Sequence, residues 1–522
     1  MSYKECPVDE PGIFILVLQF SASVISMMLM NLGRLCILGL LFLALGFSLF
    51  SEYLPFVYNG YDAQRIVLVI FLFFISLFTC FYLMYWFSLE RFFSVLVLFF
   101  AFLIFGWVGG NAISGWSEPA MYAFYFLGFF VVGNLLANVG FYEFYVRALV
   151  LVAAIGVLFY GLMAVNVYLF VILDRVKSFS EFLPWGFVNV RHWGHLATWL
   201  LPIMPLSVLC FSLNKNKLWL SLVYTGAALW WWLVFMSSAR GTLLALLLSS
   251  IICLAIFYKS SFSYFKVFFC QAFFGVVVWF FLSLVIPTLV YDSYAFDGGA
   301  VRGIRTDNTD RLVQIRESWA MSLEKFPLGL GVQSWITHDI ITDEYKKFVK
   351  FAHPHNMYLM WAAEYGWGII VALSVVLFHG VFQFFRAKSR FNGKYNGSIM
   401  VGLTLSVSAA LVHAGVSSVF IAPASMLVGF LVLSGFWGGI NFETRAKVGI
   451  EKLGIMVVKG IFVRVFCVFL AIFSILWIFD VFTYHYLMKQ DYDFYVEEVG
   501  YNIKPRFWEH GFFPRHPSLM PQ

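Results

Sequence analysis

Two histidines and an asparagine stand where a polar stretch enters an apolar run, in FAHPHNMYLMWAAEYGWG at 351–368. His353, His355 and Asn356 precede a helix, and Pro354 keeps the backbone before it extended, so polar side chains project from the loop. A neutral imidazole placed there can take the proton of a hydroxyl while that oxygen attacks a carbon. Two histidines and an amide are also metal-ligand types, but an HxH without a third ligand nearby lacks the spacing of a metal site. Asn356 fits equally well as a helix N-cap, with a histidine bonded to loop backbone.

Arginines form the second candidate group. Arg240 lies in SSARGT between two apolar runs with almost no loop, Arg191 in FVNVRHWGHLATW, and Arg302, Arg305, Arg311 and Arg316 in one long polar connection. Several guanidiniums near a membrane surface suit a lipid-linked diphosphate, because each planar fork holds phosphate oxygens bidentately. A single arginine can instead snorkel or pair with an acid. Arg316 beside Glu317 reads that way, whereas no acid lies near Arg240 in the sequence. His413 stands near the end of its apolar run, where a polar residue either lines a cavity or bonds neighbouring backbone. Gly329 and Gly331 in PLGLGV permit close backbone approach to a ligand or simply a turn. Asp491 and Asp493 form a DxD, a pattern that holds a metal–nucleotide in many transferases, and Asp307 and Asp310 sit in the long connection. A lone DxD in a polar tail arises readily by chance, and no metal is expected.

These residues are set among elements that composition defines. Of 522 residues, 61% are hydrophobic and 12% charged, against roughly 45–50% and about 25% in an ordinary soluble domain. With 63 Phe, 26 Tyr and 18 Trp, and apolar runs of the roughly 20 residues that span a bilayer, a soluble enzyme is excluded. The chain is predicted to be an all-α polytopic membrane protein. Candidate spans are 13–31, 35–54, 66–88, 93–113, 120–139, 148–173, 197–213, 218–238, 241–258, 267–291, 357–385, 398–416, 420–440 and 461–487.

The connections 214–217, 386–397 and 441–460 are basic, and by the positive-inside rule they face the cytoplasm. Counting spans from any of them puts Arg91, Arg147, Lys259 and Lys266 on the same side and both termini on the other. The net charge of +6 therefore records loop placement as much as any acidic partner. Residues 292–354 fall outside, with eight Lys/Arg against nine Asp/Glu. Within them Leu312, Ile315, Trp319 and Leu323 recur at helical spacing until Pro327, as in a helix lying on the membrane face. Six cysteines (Cys36, Cys80, Cys210, Cys253, Cys270, Cys467) lie in apolar runs without CxxC spacing and only Cys6 lies outside, so neither disulfide framework nor zinc site is predicted. The N-terminus lacks a basic region before its first apolar run and reads as uncleaved. The expected organisation is an N-terminal bundle over 1–291, a catalytic loop over 292–355, C-terminal helices over 356–487, and a tail over 488–522.

The order of features resembles the bacterial O-antigen ligase and polymerase superfamily. Three segments carry the likeness: SSARGTLLALLLS at 237–249, DRLVQIRESWAMSLEKFPLGLGVQSW at 310–335, and HPHNMYLMWAAEYGWG at 353–368. The last matches a pattern of His-Asn, nine residues and a glycine pair, here His355, Asn356 and Gly366; the usual second glycine falls at Ile369, with Gly368 one place early. GFVNVRHWGHLATWLLPIMPL is similar to an Asn-x-Arg stretch of some ligases and pilin-glycosylating relatives. The likeness covers roughly residues 180 to 440.

The resemblance implies a GT-C-type glycosyltransferase with 12–14 transmembrane helices and one long periplasmic loop carrying short amphipathic helices. It implies inverting, metal-independent transfer of a preassembled glycan from undecaprenyl diphosphate to an acceptor hydroxyl at the periplasmic face of the bacterial inner membrane, without a cofactor. By the same carry-over His355 is the general base or acceptor-orienting residue and Arg240 and Arg311 clamp the donor diphosphate; the reading of the residues themselves adds Arg191 to the diphosphate group and Asn356, His353, Gly329, Gly331 and His413 as supporting residues. Partners are the lipid-linked glycan, membrane lipids and an acceptor, with no nucleic acid. Lipid A-core sugar, a growing glycan and a pilin or other protein hydroxyl compete as acceptor. The ligase is preferred because the HPHN and SARG segments are shared widely and no large C-terminal soluble domain follows. A transporter of lipid-linked glycan is the reading from another class; it would keep ionisable groups at the midplane and show related halves, whereas these spans are nearly free of charge, Glu364 being the main exception.

Overall fold

A computed structural model describes residues 10–54, 59–86, 89–108, 115–138, 140–176, 182–291, 309–348, 351–391, 394–445, 457–494, 497 and 505–511. Among these there is no strand; the helices in chain order are α1 Glu10–Phe50, α2 Gly60–Trp86, α3 Leu89–Val108, α4 Ser117–Asn138, α5 Tyr142–Leu173, α6 Val190–Leu200, α7 Met204–Leu209, α8 Lys217–Met236 and α9 Arg240–Phe257. They continue as α10 Phe262–Trp279, α11 Ile286–Tyr291, α12 Thr309–Glu324, α13 Ser334–Thr337, α14 Met357–Tyr365, α15 Trp367–Lys388, α16 Lys394–Ala414, α17 Pro423–Arg445 and α18 Val457–Phe494. An all-α polytopic membrane protein is what such a chain must form, because in lipid a helix satisfies every backbone donor and acceptor within its own segment.

Among the described residues ten stretches are long and apolar enough to cross a membrane. One of them, Arg240–Val290, runs 51 residues and folds back at the 3₁₀ turn Tyr258–Ser261, so it supplies α9 and α10 as separate crossings. With the shorter apolar helix Arg91–Trp107 that makes twelve. Two expectations change. The spans predicted at 13–31 and 35–54 are one continuous helix, α1, because nothing between them breaks helical backbone. The span predicted at 197–213 is a broken pair, α6 and α7, interrupted at Leu201–Ile203 around Pro202.

At the centre α4 packs on α17. A Cβ on Gly133 would lie 2.8 Å from the Ser434 carbonyl, so glycine lets the two backbones approach closely. Phe130 stacks on Trp437 beside it, with centroids 4.1 Å apart.

In the long connection the apolar stripe of α12 points away from the protein: Leu312, Trp319 and Leu323 are exposed, while Val313, Glu317 and Met321 are buried. Val313 and Met321 close a small second core with Trp335, Tyr345 and Ala363. Glu317 accepts from the backbone N–H groups of Ile341 (2.7 Å) and Thr342 (2.8 Å) and bonds His338 Nε2 at 3.0 Å. It thereby ties the loop down from inside. Arg316 is exposed and donates through Nη1 to both carboxylate oxygens of Glu344, at 2.9 and 2.7 Å, the surface role its position suggested, with a different acid from its neighbour.

Topology fixes where chemistry can sit. The basic connections lie at the start of α8, between α15 and α16, and after α17; the opposite ends of α8, α16 and α17 carry Ser237, His413 and Ser418.

Candidate active site

Four separate elements deliver charged or titratable groups to one place. α6 begins at Val190 because Asn189 caps it, its Oδ1 accepting from Arg191 N at 2.9 Å; this sets Arg191 in the first helical turn, exposed. α8 ends at Met236, Ser238 takes left-handed φ of 49°, and the chain turns at once into α9, whose first residue is Arg240. Arg311 lies in the first turn of α12. His355 precedes α14 in left-handed backbone, φ 56°, and is only 5% exposed. A non-glycine residue held at such a φ is strained, and strain of this kind persists where surrounding structure over-determines it.

The groups converge on a cavity of about 400 Å³ lined by Arg191, Ser237–Thr242, Arg311, His355, His413 and Ser417, among others; no acid is found among its described lining residues. Arg191 Nη1 and His355 Nε2 are 2.8 Å apart. A guanidinium can only donate, so Nε2 accepts and the His355 ring is neutral. Burial, then the charges of Arg191 and Arg311, hold that imidazole well below its ordinary pKa. Arg311 is itself lowered, by burial and then by Arg240, which places these two guanidiniums within electrostatic reach of each other. A donor with several negative charges would relieve that repulsion.

His413 forms the opposite wall. Thr198 Oγ1 donates to the Gly194 carbonyl at 2.9 Å and lies 2.8 Å from His413 Nδ1. With its one proton so committed, the hydroxyl accepts from Nδ1–H, and Nε2 of the neutral ring carries a lone pair. A Cβ on Gly241 would sit 2.8 Å from that Nε2, so a glycine after Arg240 is what allows α9 to start against His413. Thr242 Oγ1 donates to the same Gly194 carbonyl at 3.0 Å, locking α9 to α6. His195 Nε2 and Ser417 Oγ, 2.7 Å apart, back this wall.

Not every candidate enters the cavity. Asn356 is an N-cap, its Oδ1 accepting from Leu359 N at 3.0 Å. His353 Nδ1 accepts from His355 N at 3.2 Å, with the two rings edge to face at 4.5 Å; it braces the loop, and burial with the neighbouring His355 holds its pKa well down. Gly329 and Gly331 lie instead against the end of α14. Leu330 N donates to Ala363 O at 2.8 Å and Gly331 N to Glu364 O at 2.9 Å, and a Cβ on Gly329 would be 2.5 Å from Gly366 N. They form a docking turn that fixes the loop to α14. The displaced second glycine also finds a cause: a Cβ on Gly368 would meet the Phe105 ring at 2.2 Å, so its absence admits α3.

Arg302, Arg305 and Asp307 lie outside the described residues, as do the side chains of Asp310, Asp491 and Asp493. Among the described residues no group of three His, Cys, Asp or Glu could hold a metal ion. Thr198, Ser237, Thr242, His195 and Ser417 were not anticipated. Small polar residues inside apolar runs were their only signal, and Ser and Thr are tolerated there for many reasons.

Residues 225–373 match a family model described as O-antigen ligase. No curated protein matches the chain. The matched stretch takes in Arg240, Arg311 and His355, while Arg191 and His413 lie beyond its two ends and reach the cavity through packing alone.

Proposed function

We propose that this chain, whose residues 225–373 match a family model described as O-antigen ligase, is a multi-pass membrane enzyme of the ligase, polymerase and oligosaccharyltransferase type that transfers a preassembled glycan from undecaprenyl diphosphate to a hydroxyl of lipid A-core at the periplasmic face of a bacterial inner membrane. The observation that carries this reading is the convergence of Arg191, Arg240 and Arg311 with the neutral His355 on one cavity. The placement of the basic connections at the far ends of the same helices supports the periplasmic orientation.

The chemistry follows from the geometry. The acceptor oxygen attacks the anomeric carbon from the face opposite the diphosphate, the bond between that carbon and the diphosphate oxygen breaks, and the diphosphate leaves with the electron pair. Its growing charge is met by the guanidiniums, which stabilise a leaving group without a metal ion. The hydroxyl proton passes to His355 Nε2. That lone pair is the one on which Arg191 donates, so the base opens when Arg191 turns onto a phosphate oxygen. His413 Nε2, unprotonated and fixed by Thr198, orients the acceptor hydroxyl. His353, Asn356 and the Gly329–Gly331 turn hold the loop in register.

Deletion in the native host, complemented by wild type or His355→Ala, tests the whole reading, with lipopolysaccharide ladders and pilin mass inspected separately. Wild type should restore the ladder and leave pilin unchanged. His355→Ala should insert normally and transfer about 10²–10⁴-fold more slowly per folded molecule, the contribution of a positioned base, and His355→Gln should fare little better. Restoration of pilin mass in place of the ladder would reassign the acceptor, and near wild-type turnover in His355→Ala would remove the base.

A further inference from the structure

The C-terminal segment 505–511 does not extend away from the protein. Arg506, Phe507 and Trp508 are among its most buried residues. Arg65 of α2, itself fully buried, donates through Nε to the Phe507 carbonyl at 2.7 Å and through Nη2 to the Arg506 carbonyl at 3.2 Å, with its guanidinium 4.9 Å over the Phe507 ring. Tyr61 donates to the Arg506 carbonyl at 2.6 Å, and Asp62 accepts from Glu509 N at 2.8 Å. The start of α2 thus seats the segment through its backbone, which leaves the Arg506 side chain to reach elsewhere.

It reaches the loop that carries His355, on both sides of that residue. Arg506 Nη1 donates to the Ala352 carbonyl at 3.3 Å and to Met360 Sδ at 2.9 Å. Nη2 pairs with Glu364 Oε2 and, at 3.1 Å, with Glu118 Oε1 of α4. Glu364 in turn accepts from Trp335 N through Oε1 at 3.2 Å, and its carbonyl receives Gly331 N. One guanidinium therefore joins α4, the backbone before His355, the body of α14, and the turn docked on α14.

We propose that residues 505–511 act as a strap that holds the His355 loop in its strained, catalytically useful geometry, with Arg506 as the positioning residue. The proposal rests on the transfer reaction assigned above for its effect on turnover, but the loop restraint is measurable without it. A buried guanidinium between two carboxylates need not add stability; this one divides its donors among Glu118 of α4, the Ala352 carbonyl and α14, which is the arrangement of a tether. The hydrogen-bond partners of the Arg506 side chain among the described residues, Glu118, Ala352, Met360 and Glu364, do not line the cavity, so its influence on the site passes through the loop that carries His355.

The test uses the full chain purified in detergent. Hydrogen exchange is followed at 351–366, binding of undecaprenyl diphosphate is measured directly, and transfer is measured per folded molecule. Arg506→Met should accelerate exchange at the amides of His355–Met360 and lower turnover, each by about tenfold or more, as expected for losing charge-assisted bonds, while donor binding through the cavity arginines stays within about threefold. Adding Glu364→Gln removes one of the two stranded carboxylates, Glu118 keeping its bond from Tyr122; protein yield should recover in part but turnover should stay low, since the tether to Ala352 and α14 is still missing. Turnover returning to wild type in that double variant would show that Arg506 only neutralises charge, and would overturn the strap. Where Arg506→Met fails to fold, Arg506→Lys keeps the charge and loses the fork: faster exchange with retained yield supports the strap, and wild-type exchange and turnover overturn it. If wild type transfers nothing while exchange responds as described, the reaction assignment falls and the strap stands.

Discussion

Two groups of arginines occupy the same end of the helix bundle and do opposite things. Arg191, Arg240 and Arg311 border a cavity, the first two with exposed side chains. Arg65 and Arg506 are wholly buried, and their donors are taken up by main-chain carbonyls, methionine sulfur and two glutamates. Residue type is the same in both; water access differs. A guanidinium removed from water is tolerated only with its donors satisfied, so the buried pair binds the fold to itself. At the rim a guanidinium keeps its hydration, which it can exchange for phosphate oxygens. Function among like residues is thus decided by what each is given to bond.

The sharpest way to break this comparison is to keep charge and change shape at the rim. Arg240→Lys and Arg311→Lys should each reduce transfer by roughly 10–100-fold, the scale of a charge-assisted bidentate contact, with the Tm unchanged. Full activity in both would reduce them to snorkelling residues. In the buried group the expected effect moves from turnover to stability. Arg65→Met strands the carbonyls of Ile421 and Phe507, while the Arg506 carbonyl keeps its bond from Tyr61, and should cost about 2 kcal/mol or more, at roughly 1–3 kcal/mol for each buried acceptor left unsatisfied. It would be seen as a lower Tm with undecaprenyl diphosphate binding retained; an unchanged Tm would mean that burial alone does not separate the groups. The smallest effect is expected where a metal would take over the arginines' task. Asp491→Ala with Asp493→Ala should leave transfer unchanged, and purified enzyme given donor and acceptor should work in excess chelator. Activity lost in chelator and restored by magnesium or manganese would replace the guanidiniums as the stabilising charge.

Legibility followed the range of the interaction. Asn356 was readable as a cap because an N-cap bonds a backbone N–H three residues on, and His353 as loop support for the same reason. Glu364 stood out as an acid inside an apolar run, which announces a partner without naming it; that partner is Arg506, in a tail whose pattern carried no signal. The glycines of PLGLGV marked a special backbone, but whether they faced a ligand or α14 depended on what lay opposite.

By itself the sequence determined the all-α, many-span architecture, the order of its helices, the clustering of basic connections, and the local start of α14. An apolar run of about 20 residues has one solution in lipid, and caps and turns are settled within a few residues. Tertiary structure alone decided that Arg191 would meet His355 across 164 positions of chain, that Gly241 would leave room for His413, and that the C-terminal segment would close over α14. Those meetings depend on how helices pack, and packing is set by side-chain fit among segments far apart in sequence, for which no local spacing is a guide.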